Sequence, residues 1–393
     1  MIRSLVQHAR RSQVSRRTVL AGGTGLAAAF ALAACAPGSE EGPKAAKDLS
    51  ATDKTLNWAN WALYLDQDES EGYPTLERFQ QDTGIKVEYS VDVDDNNSYY
   101  AKVKDQLKLG QDIGADLTVL TDWMAGRVIR FGYTQKLDHK NIPNIKNLTP
   151  ALSDPDFDPG RANSLPWQGG FAGICWNKEK LPNGLKSVSD LWAPELKGRV
   201  GVLSEMRDTI GLIMLEQGTD ISSKFSATDF ENAIDVFQEH VQSGQIRNVK
   251  GNSYIEDLTS EDTIAAIVWS GDVTTLNAEA GDKWEFAIPE AGGTIWNDNF
   301  VIPIGSPRKK NAETLINYYY DPAVAAEVAA WVNYITPVAG AKEAMQDIAP
   351  ELVDNELIFP SDETLAQTKL FRTLTGAEEQ DFGLKFQSVL LGV

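Results

Sequence analysis

The chain has 393 residues, more than one hydrophobic core usually fills, so two lobes are expected. Its 42% apolar and 23% charged residues are those of a globular protein. A formal charge of −20 argues against a nucleic-acid partner, which needs a basic face, and suits either solubility or the attraction of cations.

The first 34 residues carry five arginines (Arg3, Arg10, Arg11, Arg16, Arg17) and no acid, so the remainder is five charges more acidic than the whole chain. "SRRTVL" (15–20) precedes a Gly/Ala-rich apolar stretch (21–35) that falls short of the ~20 residues needed to span a bilayer. A basic stretch followed by an apolar one and small residues reads as an export signal, and the Arg16-Arg17 pair points to the twin-arginine route. The stretch ends in "LAAC", which resembles a bacterial lipobox and implies lipidation of Cys35. Residues 36–50 are rich in Pro, Gly, Ser and charge and read as a flexible tether. Cys175 is the only other cysteine, so no disulfide forms within the body, and its apolar neighbours predict a buried small side chain.

The body alternates strand-like and helix-like segments. "TLNWANW" (55–61) is apolar and aromatic, and "YPTLERFQQDTG" (73–84) reads as a helix stopped by Gly84. "IKVEYSVDV" (85–93) alternates with the period of a strand, and residues 98–110 form an amphipathic helix pattern. "ADLTVL" (115–120) is a buried-type strand running straight into a helix pattern at 122–132. A long helix (229–244), a strand (263–270) and a further helix (271–281) follow. Residues 311–333 are helical with a break at Asp321-Pro322. This alternation predicts layered α/β architecture without a repeat of fixed period.

Residues 116–123 and 264–272 share one design, an apolar strand, then polar or aromatic residues, then a helix start. Ligands of open α/β sheets bind beyond the carboxyl ends of strands, which is where Thr121, Asp122, Trp123, Trp269 and Asp272 would lie.

Catalytic machinery is not visible. The chain lacks a G-x-S-x-G elbow, an H-E-x-x-H motif and metal-ligand spacing, and His139 and His240 read as surface residues. No metal and no cofactor is expected. What remains is a set of aromatics and carboxylates at strand ends and turns: Trp61, Tyr64, Trp123, Glu205, Asp208, Trp269, Asp272, Trp296, Asp298 and Tyr334. Asp122 and Asp272 precede helices and could be N-caps. Glu205 and Asp208 could pair with Arg207 or cap the next helix. Asp298 leads into an apolar strand, where no helix needs a cap. Together the set suits an alkylammonium ligand, because carboxylates answer its charged ends and flat rings wall its methylenes.

The ordered segments "NWALY" (60–64), "ADLTVLTDW" (115–123), "DLWAPELKGRVGVLSEMRD" (190–208), "IVWSGD" (267–272), "GTIWNDNFVIP" (293–303) and "NYITP" (333–337) resemble the polyamine (spermidine/putrescine) substrate-binding components of bacterial ABC importers. The resemblance implies a two-lobed, periplasmic-binding-protein-like (type II) clamshell with discontinuous lobes and hinge crossings. Its expected divisions are 1–34 as signal, 35–52 as tether, 53–166 plus 296–342 as the first lobe, and 167–295 plus 343–393 as the second. Trp61, Tyr64, Thr121 and Trp123 would line the first lobe's face, and Glu205 and Asp208 would receive an ammonium from the second. Trp269 would lie along the carbon chain near Asp272, Trp296 and Asp298 would hold another ammonium, and Tyr334 would close the aromatic box. The resemblance also implies a monomeric, lipid-anchored receptor on the outer face of the cytoplasmic membrane, serving a permease and its ATPase subunits and breaking no bond.

This chain has Thr121 where a Ser is familiar, Trp123 where a Tyr is, and the carboxylate lengths of Glu205 and Asp208 exchanged; Phe371 is the nearest match to a familiar Gln. These departures leave open which polyamine is taken. A receptor for another solute (a cationic compatible solute, thiamine or iron) and an exported acid-pair hydrolase remain the alternatives.

Overall fold

A computed structural model describes residues 42–392. The export and lipidation expectations for residues 1–34 and Cys35 lie outside the described residues. In the segment expected to be a tether, Ala46 and Leu49 donate backbone hydrogen bonds to the carbonyls of Ile304 and Pro307. Ser50 is buried, and its hydroxyl accepts from the Asn311 amide. The packed body therefore begins before the first strand.

That strand, β1 (Thr55–Trp61), leads to α1 (Pro74–Thr83), β2 (Lys86–Val93), α2 (Asn96–Lys108) and β3 (Leu117–Thr121). Pro74 starts α1 at a position where its missing N–H costs nothing, and Gly84 ends the helix with φ 69°. Asp95 caps α2 by accepting from the Ser98 amide at 2.9 Å. Helix α3 (Asp122–Arg130) follows β3 without a gap, and the chain then winds through short helical turns to the long strand β4 (Ser164–Asn177).

The middle of the chain holds β5 (Val200–Leu203), α4 (Met206–Glu216), α5 (Ala227–Gln242), β6 (Ile246–Lys250), α6 (Tyr254–Thr259), β7 (Ala265–Trp269) and α7 (Ser270–Ala280). A reciprocal cap between Ser226 and Asp229 opens α5. Then come β8 (Trp284–Ala287), β9 (Gly293–Val301), α8 (Lys309–Tyr319) and α9 (Pro322–Val332). The Asp321-Pro322 break is a helix start: Asp321 caps α9 from its side chain and Pro322 is its first residue. The last elements are α10 (Ala341–Ile348), α11 (Asp362–Ala366), β10 (Thr368–Leu370) and α12 (Gly376–Leu391).

Among the described residues ten strands form one sheet, eight of them in the order β2-β1-β3-β9-β4-β7-β5-β6, with β10 added to β9 and β8 to β4. Strands β2, β1 and β3 are mutually parallel, as are β6, β5 and β7. Both groups meet the antiparallel pair β4/β9 at the centre. Parallel strands covered by helices on both faces must be apolar throughout, and β7 is buried along its whole length. The early residues of β4 face the half of β9 that pairs β3, whereas its later residues pair β7 and β8. These two strands are thus shared by both half-sheets, and the β4/β9 register shifts between Pro166 and Gln168.

Cys175 on β4 is fully buried and burial pushes its thiol pKa up, as its neighbours predict. Tyr319 and Tyr320 are core residues. His139 is exposed, while His240 is half-buried and stacks on Trp192 at 4.2 Å.

Candidate ligand-binding site

The two half-sheets aim their carboxyl ends at each other. Thr121 ends β3, Trp269 ends β7, and the centre of β9 carries Trp296 and Asp298 between them. Cross-strand register sets Asp298 opposite Thr121 on one side and Gln168 on the other. A pocket with about 30 Å³ of free room lies there. It is lined by Trp61, Tyr64, Thr121, Glu205, Asp208, Trp269, Asp272, Trp296, Asp298 and Tyr334, which the sequence singles out, together with Ala62, Asn96 and Asn252.

The rings form an edge-to-face chain. Trp61 meets Trp269 at 6.2 Å, Trp269 meets Trp296 at 6.4 Å, Trp296 meets Tyr334 at 5.3 Å, and Tyr334 meets Tyr64 at 5.5 Å. Close approach to β4 is possible because residue 170 is a glycine. A Cβ there would stand 2.7 Å from atoms of both Trp296 and Tyr334.

Each carboxylate is held by a different device. Asp208, in the first turn of α4, accepts from the Trp269 indole at 2.8 Å and the Thr294 hydroxyl at 2.6 Å. Asp272 accepts from the hydroxyls of Tyr254 at 2.7 Å and Tyr334 at 2.9 Å. Asp298 takes the Tyr64 hydroxyl on Oδ2 at 2.8 Å, while its Oδ1 is buried without a partner among the described residues. Glu205 accepts from the Trp123 indole at 3.1 Å and caps α4 through the Arg207 amide. Burial pushes Glu205 and Asp298 up to about 7 and Asp272 up to about 6, and it raises Asp208 as well.

The N-cap reading holds for Glu205 and fails for two aspartates. Thr121 and Trp269 occupy the cap positions of α3 and α7. Asp122 instead receives the Asn299 and Asn297 side-chain amides at 2.7 and 3.2 Å, and Asp272 receives its two tyrosines. Trp123 stands apart from the inner pocket. It lines an adjoining cavity of about 460 Å³, beneath the Arg207 guanidinium at 4.1 Å. Phe371 lines that outer cavity too.

Sequence reasoning missed Tyr254, Thr294, Asn96 and Asn252, and it named Arg207 only as a partner for Glu205 and Asp208, of which it stands 3.8 Å from Glu205. Tyr254 opens a short helix outside the resembling segments, and Thr294, although inside the segment 293–303, has nothing local that marks it as a partner of Asp208. Only the fold brings their polar atoms to the site's carboxylates. No group of three or more potential metal-ligating side chains is found among the described residues.

Residues 75–359 match the family model for bacterial extracellular solute-binding proteins. A spermidine/putrescine-binding periplasmic protein of Salmonella typhimurium is 28% identical over 316 residues, covering 80% of this chain and 85% of the relative. A putrescine-binding periplasmic protein of Escherichia coli is 29% identical over 342 residues, covering 82% of this chain and 87% of the relative. A solved structure from Listeria monocytogenes superposes with a TM-score of 0.75 at 25% identity, across 87% of this chain and 100% of the other. A lipoprotein of Treponema pallidum superposes with a TM-score of 0.70 at 22% identity, across 85% and 99%, and so shares the fold. The fold is the mixed α/β arrangement of type II periplasmic-binding-protein-like proteins. By a family match spanning most of its length, the chain belongs to the bacterial extracellular solute-binding proteins.

Proposed function

We propose that the protein is the lipid-anchored, extracytoplasmic receptor of an ABC importer and captures polyamines such as spermidine and putrescine between two lobes. One observation carries this reading. The inner pocket gathers four buried carboxylates and five aromatic rings, and no lysine, arginine or histidine lines it among the described residues. Burying four carboxylates with only Arg207, beside Glu205, as a nearby counter-charge is costly, as their raised pKa values register, and an alkyl diammonium removes that cost. Its methylenes would lie along Trp269 and Trp296, with cation–π attraction of roughly 0.5–2 kcal/mol per ring at its ends. Asp298 Oδ1 would take one ammonium, and Glu205 with Asp208 the other. Asp272, close by, accepts from Tyr334 and Tyr254 and would also orient those two rings.

The names of the relatives from Salmonella typhimurium and Escherichia coli accord with this ligand class. The lobes would be the two half-sheets, divided as 53–166 plus 296–342 and 167–295 plus 343–393, with β4 and β9 as the hinge. The register shift beside Pro166 supports a bend there. Export and anchoring at Cys35 rest on the N-terminal pattern, and no helix among the described residues is long and apolar enough to cross a membrane.

The test is a thermal-shift and calorimetric titration of the full chain with spermidine, putrescine, glycine betaine, ferric iron and a neutral sugar. A bound polyamine at ~100 times its Kd stabilises by about 2.7 kcal/mol. Silence toward both polyamines would overturn the reading. Lipid labelling that persists after Cys35→Ser would overturn the anchoring.

A further inference from the structure

The outer cavity is the roomier of the two spaces, and its chemistry differs from the inner one. Its volume of about 460 Å³ lies in the range of small-molecule sites, and it adjoins the inner pocket through Thr121, Glu205, Asp208 and Trp296, which line both. Whereas the inner lining carries no cationic side chain, the outer lining includes four arginines. Three of these are committed to partners. Arg130 meets Glu379 at 2.7 Å, Arg161 donates to Asn299 at 2.8 Å, and Arg372 meets Glu378 at 2.6 Å.

Arg207 is different. It is 8% exposed and its guanidinium rests on the Trp123 ring at 4.1 Å. Among the described residues its side chain donates no hydrogen bond, and the Glu205 and Glu379 carboxylates stand 3.8 and 3.9 Å away, beyond hydrogen-bond reach. The guanidinium is thus ion-paired loosely with two carboxylates, while its planar fork keeps donors that no hydrogen bond among the described residues engages. An ammonium arriving in the outer cavity would face this like charge. A carbonyl or carboxylate oxygen would meet the acceptor-seeking fork that suits it.

We propose that the outer cavity is a second subsite that takes a hydrogen-bond acceptor on the far end of the bound amine, so that the chain recognises acylated or carboxylated amines with Arg207 as the reader. This deepens the polyamine reading and rests on it. The ammonium end lies among the inner carboxylates, the methylenes pass Trp296, and the acyl or carboxylate oxygen accepts from Arg207.

The experiment titrates the full chain calorimetrically with N-acetylputrescine, 4-aminobutanoate and n-butylamine. The last has the same ammonium and a similar chain but no acceptor. Putrescine and spermidine are run alongside. The expected result is that N-acetylputrescine, 4-aminobutanoate or both bind at least tenfold more tightly than n-butylamine. Which of the two does so identifies an amide or a carboxylate as the natural acceptor. In Arg207→Gln that ratio is expected to fall to threefold or less. A wild-type ratio below threefold for both acceptor ligands, with putrescine or spermidine still bound, overturns this inference alone. Absence of binding by every amine overturns it together with the polyamine reading. The wild-type comparison decides the matter even if the variant fails to fold.

Discussion

The indole N–H of Trp269 donates to Asp208 Oδ2 at 2.8 Å, tying the last residue of β7 to the first turn of α4. The ring that would wall a ligand's carbon chain thereby also fixes the carboxylate that would hold its charge. Asp208 uses its other oxygen for the Thr294 hydroxyl, so Asp208→Asn both removes the charge and sets an amide N–H against one of two donors. Breaking one side of a buried charge pair costs about 2–5 kcal/mol, so polyamine affinity is expected to fall by ~30-fold or more. Asp298→Asn and Asp272→Asn are each expected to weaken binding by more than about tenfold. Calorimetric affinities within threefold of wild type would reduce these acids to structural roles.

Binding should strengthen with pH across the range in which the site acids ionise. Glu205 and Asp298 are pushed up to about 7 and Asp272 to about 6, above the ~4 of unfolded carboxylates. Without ligand, these groups favour the folded state below pH ~4, and that contribution is lost as pH rises through ~6–7. A polyamine is cationic throughout this range and needs the acids ionised. Its binding is therefore expected to release protons near pH 6, to tighten toward pH 8, and to raise Tm more at pH 8 than at pH 5. Affinity independent of pH, with no dependence of binding enthalpy on buffer, would contradict this.

Gly251 tests closure without touching the ligand. It follows β6, and a Cβ at this position would overlap the Asp94 carbonyl oxygen, which lies just past β2 in the other half-sheet's group. The same contact includes the Asn252 amide donating to Asp94 O at 3.2 Å and the Ser253 amide donating to Asp94 Oδ1 at 3.1 Å. Gly251→Ala is expected to hold the two groups apart, weakening binding by about tenfold and enlarging the ligand-free chain in small-angle scattering. Unchanged affinity and unchanged dimensions would show that this contact yields freely.

Cys175 offers a simple check on burial. Its side chain is fully enclosed on β4, and burial raises its thiol pKa, so little thiolate is available. Mass spectrometry should find Cys175 unmodified by iodoacetamide at pH 8 in the native chain and modified in denaturant. Rapid native labelling would place β4 outside the core.

How much of this could be read from the chain differs from feature to feature. The helix closed by Gly84 and the Asp321-Pro322 break were legible because their signals are local, a left-handed terminus and a proline without an N–H. Ten of the eleven chosen binding residues line one pocket; Thr121 and Trp269 end strands, as local pattern marks them, whereas Trp296 and Asp298 lie at the centre of β9 rather than at an end or turn. Trp123 is the exception. Its place at a helix start was readable, but its direction, toward Arg207 and the outer cavity, was not.

Sequence by itself determined the acidic, aromatic character of the site, the α/β alternation and the segments that build them, since composition and hydrophobic period act over a few residues. Only the tertiary structure decided what each carboxylate touches. Tyr64 reaches Asp298, Thr294 reaches Asp208, and Tyr254 with Tyr334 fills Asp272. It also separated an inner pocket without cationic side chains from an outer cavity whose Arg207 guanidinium stands 3.8 and 3.9 Å from two carboxylates without hydrogen-bonding them. The reason is that β4 and β9 each serve both half-sheets, so the contacts that tune charge and hydrogen bonding join residues up to 234 positions apart.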